Sequence, residues 1–303
     1  MKARPEFQIQ IDGSEVKLGV RTLIMGVVNV TPDSFSDGGR YLDPGRAIEH
    51  GVELARQGAD WIDIGGESTR PGAQPVSAEE ELRRVLPVIR GLRRKLRSVP
   101  ISIDTTKAEV AEQAVAAGAN ILNDVSGLRF DPRLAEVARR HRTPLILMHL
   151  RGTPDTMQRR PFAHNIWRSL EGGLETSIRR ALAAGVPRSQ LILDPGLGFG
   201  KSRRQNYEIL AGLAKLQRFR LPLLIGASRK SFVQAIVAGE GIDTAASGRL
   251  GNRLLLDLDQ LAVGDAAIAA GAVLGGAHIV RVHDPAAMLP AVRIADAMLA
   301  ARR

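Results

Sequence analysis

Eight short apolar runs recur along the chain, and a polar residue follows each run within three positions. The runs cover residues 23–28, 61–64, 101–103, 120–122, 145–148, 191–193, 223–225 and 278–280. They are rich in β-branched residues and largely lack alternation of apolar and polar positions. This pattern is typical of strands that are buried on both faces of a parallel sheet.

Stretches with helical spacing of apolar residues separate these runs. They cover residues 44–57, 78–96, 107–117, 132–141, 165–184, 203–216, 229–238 and 247–274, and a last one at 286–301 closes the chain. Several stretches end at a glycine that leads directly into the next run, as at Gly58 and Gly118, which is typical of a helix C-terminus. Eight strand–helix units without a linker predict an α/β fold, a (β/α)8 TIM-type barrel that spans residues 1–303 as one domain.

The first 20 residues lie outside these units. Residues 7–11 and 16–18 flank an Asp12-Gly13 pair, which predicts a β-hairpin. We expect this hairpin to cover the bottom of the barrel, at the end where the strands begin.

The charge of the chain invites a nucleic-acid interpretation, because 42 Lys and Arg residues against 32 Asp and Glu residues give a net charge of +10. The basic residues are scattered among acidic ones, however, and aromatic residues make up only 4% of the chain, so solvated helix faces are favoured over a nucleic-acid site. The lack of cysteine excludes thiolate metal sites and thiol nucleophiles. No signal-peptide pattern or membrane span is recognisable, so we expect a cytoplasmic protein without a membrane partner.

Polar side chains stand at the ends of all eight runs, where a barrel gathers its functional groups. They are Asn29, Asp63, Asp104, Asn123 with Asp124, His149, Asp194, Lys230, and Arg281 with His283. Buried polar groups without partners are costly, so their concentration predicts a site at this end of the barrel. For Asp63 and Asp124 we favour a structural role in binding loop backbone, and for His149 that of a hydrogen-bonded structural histidine.

Two glycine-ended loops follow the first two runs. Residues 29–39 carry Phe35, and residues 65–73 carry Arg70, so both are candidates for lids that close over a substrate. A third glycine-rich segment, residues 194–202, fits neither the Walker pattern nor the dinucleotide-binding pattern. Its glycines are expected to let the backbone approach a flat ligand.

The charged residues predict a ligand with two different parts. Asp104, Asn123 and Asp194 offer acceptors that suit a ring with adjacent N–H donors. The cations suit an anionic group attached to that ring, and they are Arg70, Lys230, Arg281 and His283.

In these segments the sequence resembles the dihydropteroate synthases, a family of the pterin-binding barrel superfamily. The matching segments cover residues 26–39, 65–72, 102–105, 123–127, 148–152, 193–201, 228–231 and 281–284. The resemblance implies condensation of 6-hydroxymethyl-7,8-dihydropterin diphosphate with p-aminobenzoate, with release of pyrophosphate. It also implies Mg²⁺ as the cofactor, these two small molecules as partners, a homodimer, and inhibition by sulfonamides.

The resemblance also assigns roles to individual residues. The pterin ring would be bound by Asp104, Asn123, Met148, Asp194, Lys230 and Arg281. The diphosphate would be bound by Arg70, Arg281, His283 and, through Mg²⁺, Asn29. The p-aminobenzoate pocket would be formed by Thr69, Pro71, Phe199, Ser231 and Phe35. The residues expected to act in catalysis are Lys230, Arg281, Asp104 and Asp194.

The implied reaction loses pyrophosphate first, in an SN1-like step, and needs no protein nucleophile. A pterin-dependent methyltransferase or a non-catalytic pterin-binding protein would share the acidic strand ends. A methyltransferase would have no use for Asn29, Arg70 and His283 as a diphosphate clamp, which disfavours that alternative. Residues 252–262 look longer than is usual in the family, which puts the dimer contact in question more than the chemistry.

Overall fold

The computed structural model describes residues 4–31, 43–69, 72–157, 161, 163–243 and 257–301, and within them the eight predicted runs form one parallel sheet. Its strands are β3 (Leu23–Asn29), β4 (Trp61–Gly65), β5 (Ile101–Asp104), β6 (Ile121–Asp124), β7 (Leu145–Met148), β8 (Leu191–Asp194), β9 (Leu224–Gly226) and β10 (Ile279–Val282), after the N-terminal β1 (Phe7–Ile11) and β2 (Ser14–Leu18). The sheet order is β8-β7-β6-β5-β4-β3-β10-β9. A parallel bridge between Leu193 and Leu223 joins the two ends of the sheet, so the barrel is closed as predicted.

The described helices surround this barrel. They are α1 (Pro44–Arg56), α2 (Ala78–Lys95), α3 (Ala108–Ala116), α4 (Leu134–His141), α5 (Ile166–Ala183), α6 (Arg203–Ala211), α7 (Ser231–Val237), α8 (Leu258–Leu274) and α9 (Pro285–Ala300). Gly58 and Gly118 follow α1 and α3 with φ of +100° and +117°, the left-handed conformation that glycine adopts without strain at a helix end. None of these helices is both long and apolar enough to cross a membrane.

Two predicted helices differ from the structure. The stretch 203–216 is not one helix, because α6 ends at Ala211 and a 3-10 helix follows at Leu213–Phe219. Gly212 lies between them, and a Cβ there would come 2.5 Å from the Trp167 ring, so the break lets the aromatic ring of α5 pack against the backbone. Of the predicted stretch 247–274, residues 247–256 lie outside the described residues, and these include residues 252–256 of the stretch 252–262.

The hairpin of β1 and β2 covers the bottom of the barrel, as predicted. Its apolar side chains pack against the interior residues of the strands; they are Ile9, Ile11 and Leu18. Gln190, just before β8, donates to the Gln10 carbonyl and accepts from the Gln10 N–H, both at 2.8 Å. These contacts fix the hairpin against the ends of the strands opposite the functional loops.

Candidate active site

Strand alternation carries the polar residues into the mouth of the barrel. Ile121, Ile146, Ile192 and Ile279 belong to the interior cluster, so the residues two positions later also point inward. Those residues are Asn123, Met148, Asp194 and Arg281. The same period of two places Asp63 after the interior residue Trp61. The barrel interior is therefore apolar below and polar at its upper end.

Arg281 lies at the centre of this polar layer. Its Nε donates to Asp63 Oδ2 at 2.6 Å, and its Nη2 donates to Asp104 Oδ2 at 2.9 Å. Asn123 Nδ2 donates to the same Asp63 oxygen at 3.1 Å. Our expectation that Asp63 binds loop backbone is therefore wrong, because its carboxylate points into the barrel and binds two site residues. The acidic and basic groups that we expected to bind different parts of a ligand therefore also bind each other, which stabilises the buried carboxylates.

The two predicted site aspartates are strongly affected by burial. Burial raises the pKa of Asp104, the charge of Asp63 raises it further, and the charge of Arg281 opposes the rise. Burial also raises the pKa of Asp194, whose Oδ1 accepts a hydrogen bond of 2.7 Å from the Gly196 N–H. That bond and the charge of Lys230 both favour the ionised carboxylate. Burial thus favours the protonated form of both carboxyl groups, whereas the neighbouring cations and the Gly196 N–H favour the ionised form.

Lys230 lies on the other side of the mouth. Its Nζ donates to the Leu197 carbonyl at 2.6 Å and lies 3.9 Å from the centre of the Phe199 ring. Burial lowers the pKa of Lys230 to about 7, and the charge of Asp194 opposes this shift. Lys230 can therefore lose or gain a proton near neutral pH, which an exposed lysine cannot do.

An acid that our sequence reasoning missed holds the loop before Lys230 in place. Asp265 of α8 accepts hydrogen bonds of 2.9 Å from both the Ser228 hydroxyl and the Arg229 N–H. The same hydroxyl lies 3.2 Å from His283 Nδ1, which connects this loop to the end of β10. The available signal was a lone acid within the apolar residues 260–274.

The remaining predicted residues lie around this centre. Met148 belongs to an apolar cluster with Val125, Leu150 and Met157, against which Phe199 packs. Ser231 is the exposed first residue of α7, and Thr69 is half-buried at the end of the segment after β4. The other three predicted ligand contacts, Phe35, Arg70 and Pro71, lie outside the described residues.

A buried ionic cluster, also missed from the sequence, supports the segment that carries Thr69. Lys107, before α3, binds Glu67 and donates to the fully buried Glu81 of α2 at 2.6 Å. The second oxygen of Glu67 accepts a hydrogen bond of 3.2 Å from the Val76 N–H, across the loop. Burial raises the pKa of Glu81, and Lys107 opposes that rise. The cluster therefore joins both described ends of the loop to the end of β5.

Asp124 and His149 face away from this centre. The prediction for Asp124 is confirmed, because its carboxylate accepts from the Ser126 and Leu128 N–H groups at 2.8 and 2.6 Å. His149 packs against α5, where a Cβ on Gly173 would come 2.5 Å from its ring. This packing agrees with the structural role that we predicted for His149, although its buried Nδ1 has no hydrogen-bond partner among the described residues.

The metal expected from the sequence can be tested against the ligands available. Within the described ranges, no three Asp, Glu, His or Cys side chains come together as a metal cage. Asn29, the last residue of β3, offers one amide oxygen beside Gly65, where the missing side chain leaves room. One hard oxygen ligand fits an Mg²⁺ ion that takes its other ligands from a phosphate group and water.

Comparisons with known proteins agree with this geometry. A family model described as pterin binding enzyme matches residues 25–283. A dihydropteroate synthase of Synechocystis sp. is 44% identical over 280 residues, which are 92% of this chain and 91% of that protein. The dihydropteroate synthase of Escherichia coli is 41% identical over 92% of each chain.

Solved structures give the same result. A Yersinia pestis dihydropteroate synthase in a sulfonamide drug complex superposes with a TM-score of 0.86 and 39% identity, covering 97% of this chain and 100% of that one. The Xanthomonas albilineans dihydropteroate synthase in complex with 7,8-dihydropteroate has a TM-score of 0.78 and 34% identity, covering 97% and 98%. This chain therefore belongs to the dihydropteroate synthase family of pterin-binding enzymes.

Proposed function

We propose that this protein joins 6-hydroxymethyl-7,8-dihydropterin diphosphate to p-aminobenzoate, forming 7,8-dihydropteroate and pyrophosphate. The observation that carries the proposal is the buried group of Asp63, Asp104, Asn123 and Arg281 at the mouth of a barrel in this family. Such a group offers hydrogen-bond acceptors to a ring rich in N–H donors, together with a cation. Asp194 and Lys230 extend the same surface toward the neighbouring strands.

The pterin half of the reaction uses this buried surface. Asp104, Asn123 and Asp194 accept hydrogen bonds from the ring, and Lys230 and Arg281 donate to its oxygen and nitrogen acceptors. The bond between the exocyclic methylene and the diphosphate oxygen breaks, and its electron pair leaves with pyrophosphate. The positive charge left on the methylene spreads into the ring, where the nearby carboxylates stabilise it.

The leaving group needs positive charge around it. His283 at the end of β10, Arg281 and Arg70 would supply this charge, and Asn29 would hold Mg²⁺ through its amide oxygen. When bound, Mg²⁺ neutralises charge on the diphosphate and so makes it a better leaving group. The chain itself orients the diphosphate toward the cations and excludes water from the methylene.

The p-aminobenzoate half lies beside Phe199. The pocket in which the aryl amine faces the methylene is formed by this ring with Ser231 and Thr69. Phe35 and Pro71, which lie outside the described residues, would complete it. The nitrogen lone pair forms the new C–N bond, and the amine then loses a proton. Sulfonamides carry the same aryl amine and would occupy this pocket.

We also propose that the enzyme is a cytoplasmic homodimer. Three large apolar side chains on the neighbouring helices α8 and α9 support the homodimer, because they are exposed in the single chain. They are Leu258, Val263 and Ile294, with exposed fractions of 73%, 70% and 64%. An exposed apolar surface of this kind is common at contacts between subunits.

The proposal is tested by incubating the protein with the pterin diphosphate, p-aminobenzoate and Mg²⁺, and by measuring pyrophosphate and dihydropteroate together. Both products should form in equal amounts, and neither should form without p-aminobenzoate. Asp104→Asn, which keeps the shape of the side chain, should abolish turnover. Binding of the pterin diphosphate without any product would instead identify a non-catalytic pterin-binding protein.

A further inference from the structure

The ammonium group of Lys201 is buried beside the active site and binds only backbone. The residue is 3% exposed, and its Nζ donates to the carbonyl oxygens of Gly196, His149 and Phe199 at 2.7, 3.0 and 3.0 Å. These three acceptors match the three N–H donors of an ammonium, although burial lowers the pKa of Lys201 well below its ordinary value. No carboxylate among the described residues forms an ion pair with it. The resemblance and the comparisons assign this lysine no role.

The three carbonyl groups come from two loops of the mouth. His149 follows Met148 at the end of β7, whereas Gly196 and Phe199 belong to the loop after Asp194 at the end of β8. The two loops are in close contact, and a Cβ on Gly196 would therefore collide with the His149 carbonyl. Gly196 and Gly198 have φ of +65° and +83°, which turns their carbonyl groups in directions that an ordinary residue rarely allows.

The position of Lys201 excludes the role that its sequence context suggests. It follows a glycine-rich segment, as the lysine of a phosphate-binding loop does. Its donors point at backbone oxygens and its side chain is closed off from solvent, so it has no donor left for a phosphate. Burying a cation that has no ion-pair partner costs free energy of folding, and packing alone does not explain why a lysine stands at this position.

We propose that Lys201 is a positioning residue for the p-aminobenzoate pocket. It joins the loop after β8 to the end of β7 and thereby sets the position of Phe199. The Phe199 ring in turn lies against Lys230, at 3.9 Å from its Nζ. Lys201 thus acts through Phe199 and touches no substrate. This inference rests on the proposed function, in which Phe199 forms one wall of that pocket.

A matched pair of variants separates positioning from general stability. Gln190 is also buried, at 5% exposure, and its side chain also binds three backbone groups, but at the bottom of the barrel. Lys201→Met and Gln190→Met should therefore both lower the Tm. Only Lys201→Met should raise KM for p-aminobenzoate, on the order of tenfold, because a small displacement of a pocket wall is enough to disturb alignment. The Kd of the pterin diphosphate, measured by titration, should change little in either variant.

A second measurement tests the route through Phe199. In a Phe199→Ala background, Lys201→Gln should have no further effect on KM for p-aminobenzoate, although it raises this KM in the wild-type background. Lys201→Gln also replaces Lys201→Met if the latter does not fold, because the amide keeps two donors. Three results would overturn the proposal. They are an equal change in KM for p-aminobenzoate and in the Kd of the pterin diphosphate, an unchanged KM for p-aminobenzoate, and effects of Lys201→Gln and Phe199→Ala on that KM that simply add. Absence of product with the wild-type protein would instead refute the proposed function.

Discussion

Arg281 donates a hydrogen bond of 2.9 Å to Asp104, although 177 residues separate them in the chain. The same guanidinium binds Asp63, whose side chain is fully buried, so one cation serves two carboxylates. In the sheet, β10, the last strand along the chain, pairs with β3, the first strand of the barrel, and this pairing brings Arg281 close to β4 and β5. The centre of the site therefore exists only when the barrel is closed.

This arrangement predicts a stability loss that depends on pH. Arg281→Met should destabilise the fold by about 3 kcal/mol at neutral pH, because the buried Asp63 loses its cation and Asp104 loses a hydrogen-bond donor. Burial already raises the pKa of Asp104, so its contribution to stability is present at low pH and is lost as the pH rises through the folded-state pKa. Without Arg281 the pKa rises further, and the loss in the variant should be larger at about pH 8 than at about pH 5.

Urea unfolding of both proteins at the two pH values measures this difference. Arg83→Met is the control, since the Arg83–Glu80 pair is on the surface and should contribute little at either pH. An equal loss for Arg281→Met at both pH values would contradict the prediction.

Much of this layout can be predicted from the sequence, because each strand imposes a period of two. Trp61 points into the barrel, so Asp63 does too, whereas Asp124 lies one position beyond the inward-facing Asn123 and turns to the loop. Counting positions along each run would have distinguished these two aspartates. Composition at the strand ends predicts the same structural role for both aspartates, because it carries no information about this parity.

The supporting contacts could not be predicted in the same way. Asp265 and Ser228 are far apart in the chain and meet only because α8 packs beside the loop before α7. Glu81 faces inward from a helix whose other acids are solvated, and only the position of Lys107 explains it. Such contacts depend on how helices pack on the barrel, and local periodicity carries no information about that packing.

The lowered pKa of Lys230 predicts how the enzyme activity falls along the alkaline limb of the pH profile. Burial lowers its pKa to about 7, so the charged form that donates to the pterin is lost as the pH rises above that value. We expect kcat/KM for the pterin diphosphate to fall over this range. Lys230→Arg keeps its charge throughout, so its residual activity should lack this limb. A flat wild-type profile between about pH 6 and 9, or the same limb in Lys230→Arg, would count against this role.

We expect Gly198→Ala to reduce activity more than it reduces the stability of the fold. The φ of Gly198 is +83°, and an added Cβ would come 2.8 Å from Cδ of Lys230. Gly198→Ala should therefore displace Lys230 and raise KM for the pterin diphosphate. Gly13→Ala is the matched control, because Gly13 has φ of +74° with nothing within 4 Å of the added Cβ. Both variants should lose about 1 kcal/mol of stability, and only Gly198→Ala should lose activity.

The p-aminobenzoate site proposed beside Phe199 predicts inhibition by sulfanilamide. The inhibitor should compete with p-aminobenzoate and not with the pterin diphosphate, because it shares only the aryl amine. Initial rates at several concentrations of each substrate distinguish these patterns. The prediction fails if sulfanilamide has no effect at concentrations far above the KM for p-aminobenzoate.

The buried ionic cluster of Lys107, Glu67 and Glu81 predicts that Lys107 and Glu81 are strongly coupled in their effect on stability. Lys107→Met should destabilise the fold by about 3 kcal/mol, because Glu81 is fully buried and would lose its cation while the like charge of Glu67 stays close. Adding Glu81→Leu removes the unpaired charge and should recover much of that loss. Urea unfolding of the wild type, both single variants and the double variant measures the coupling. The contrary result is that the stability losses of the two single variants simply add in the double variant. In that case Lys107 does not stabilise the charge of Glu81, and the cluster does not hold the loop through this lysine.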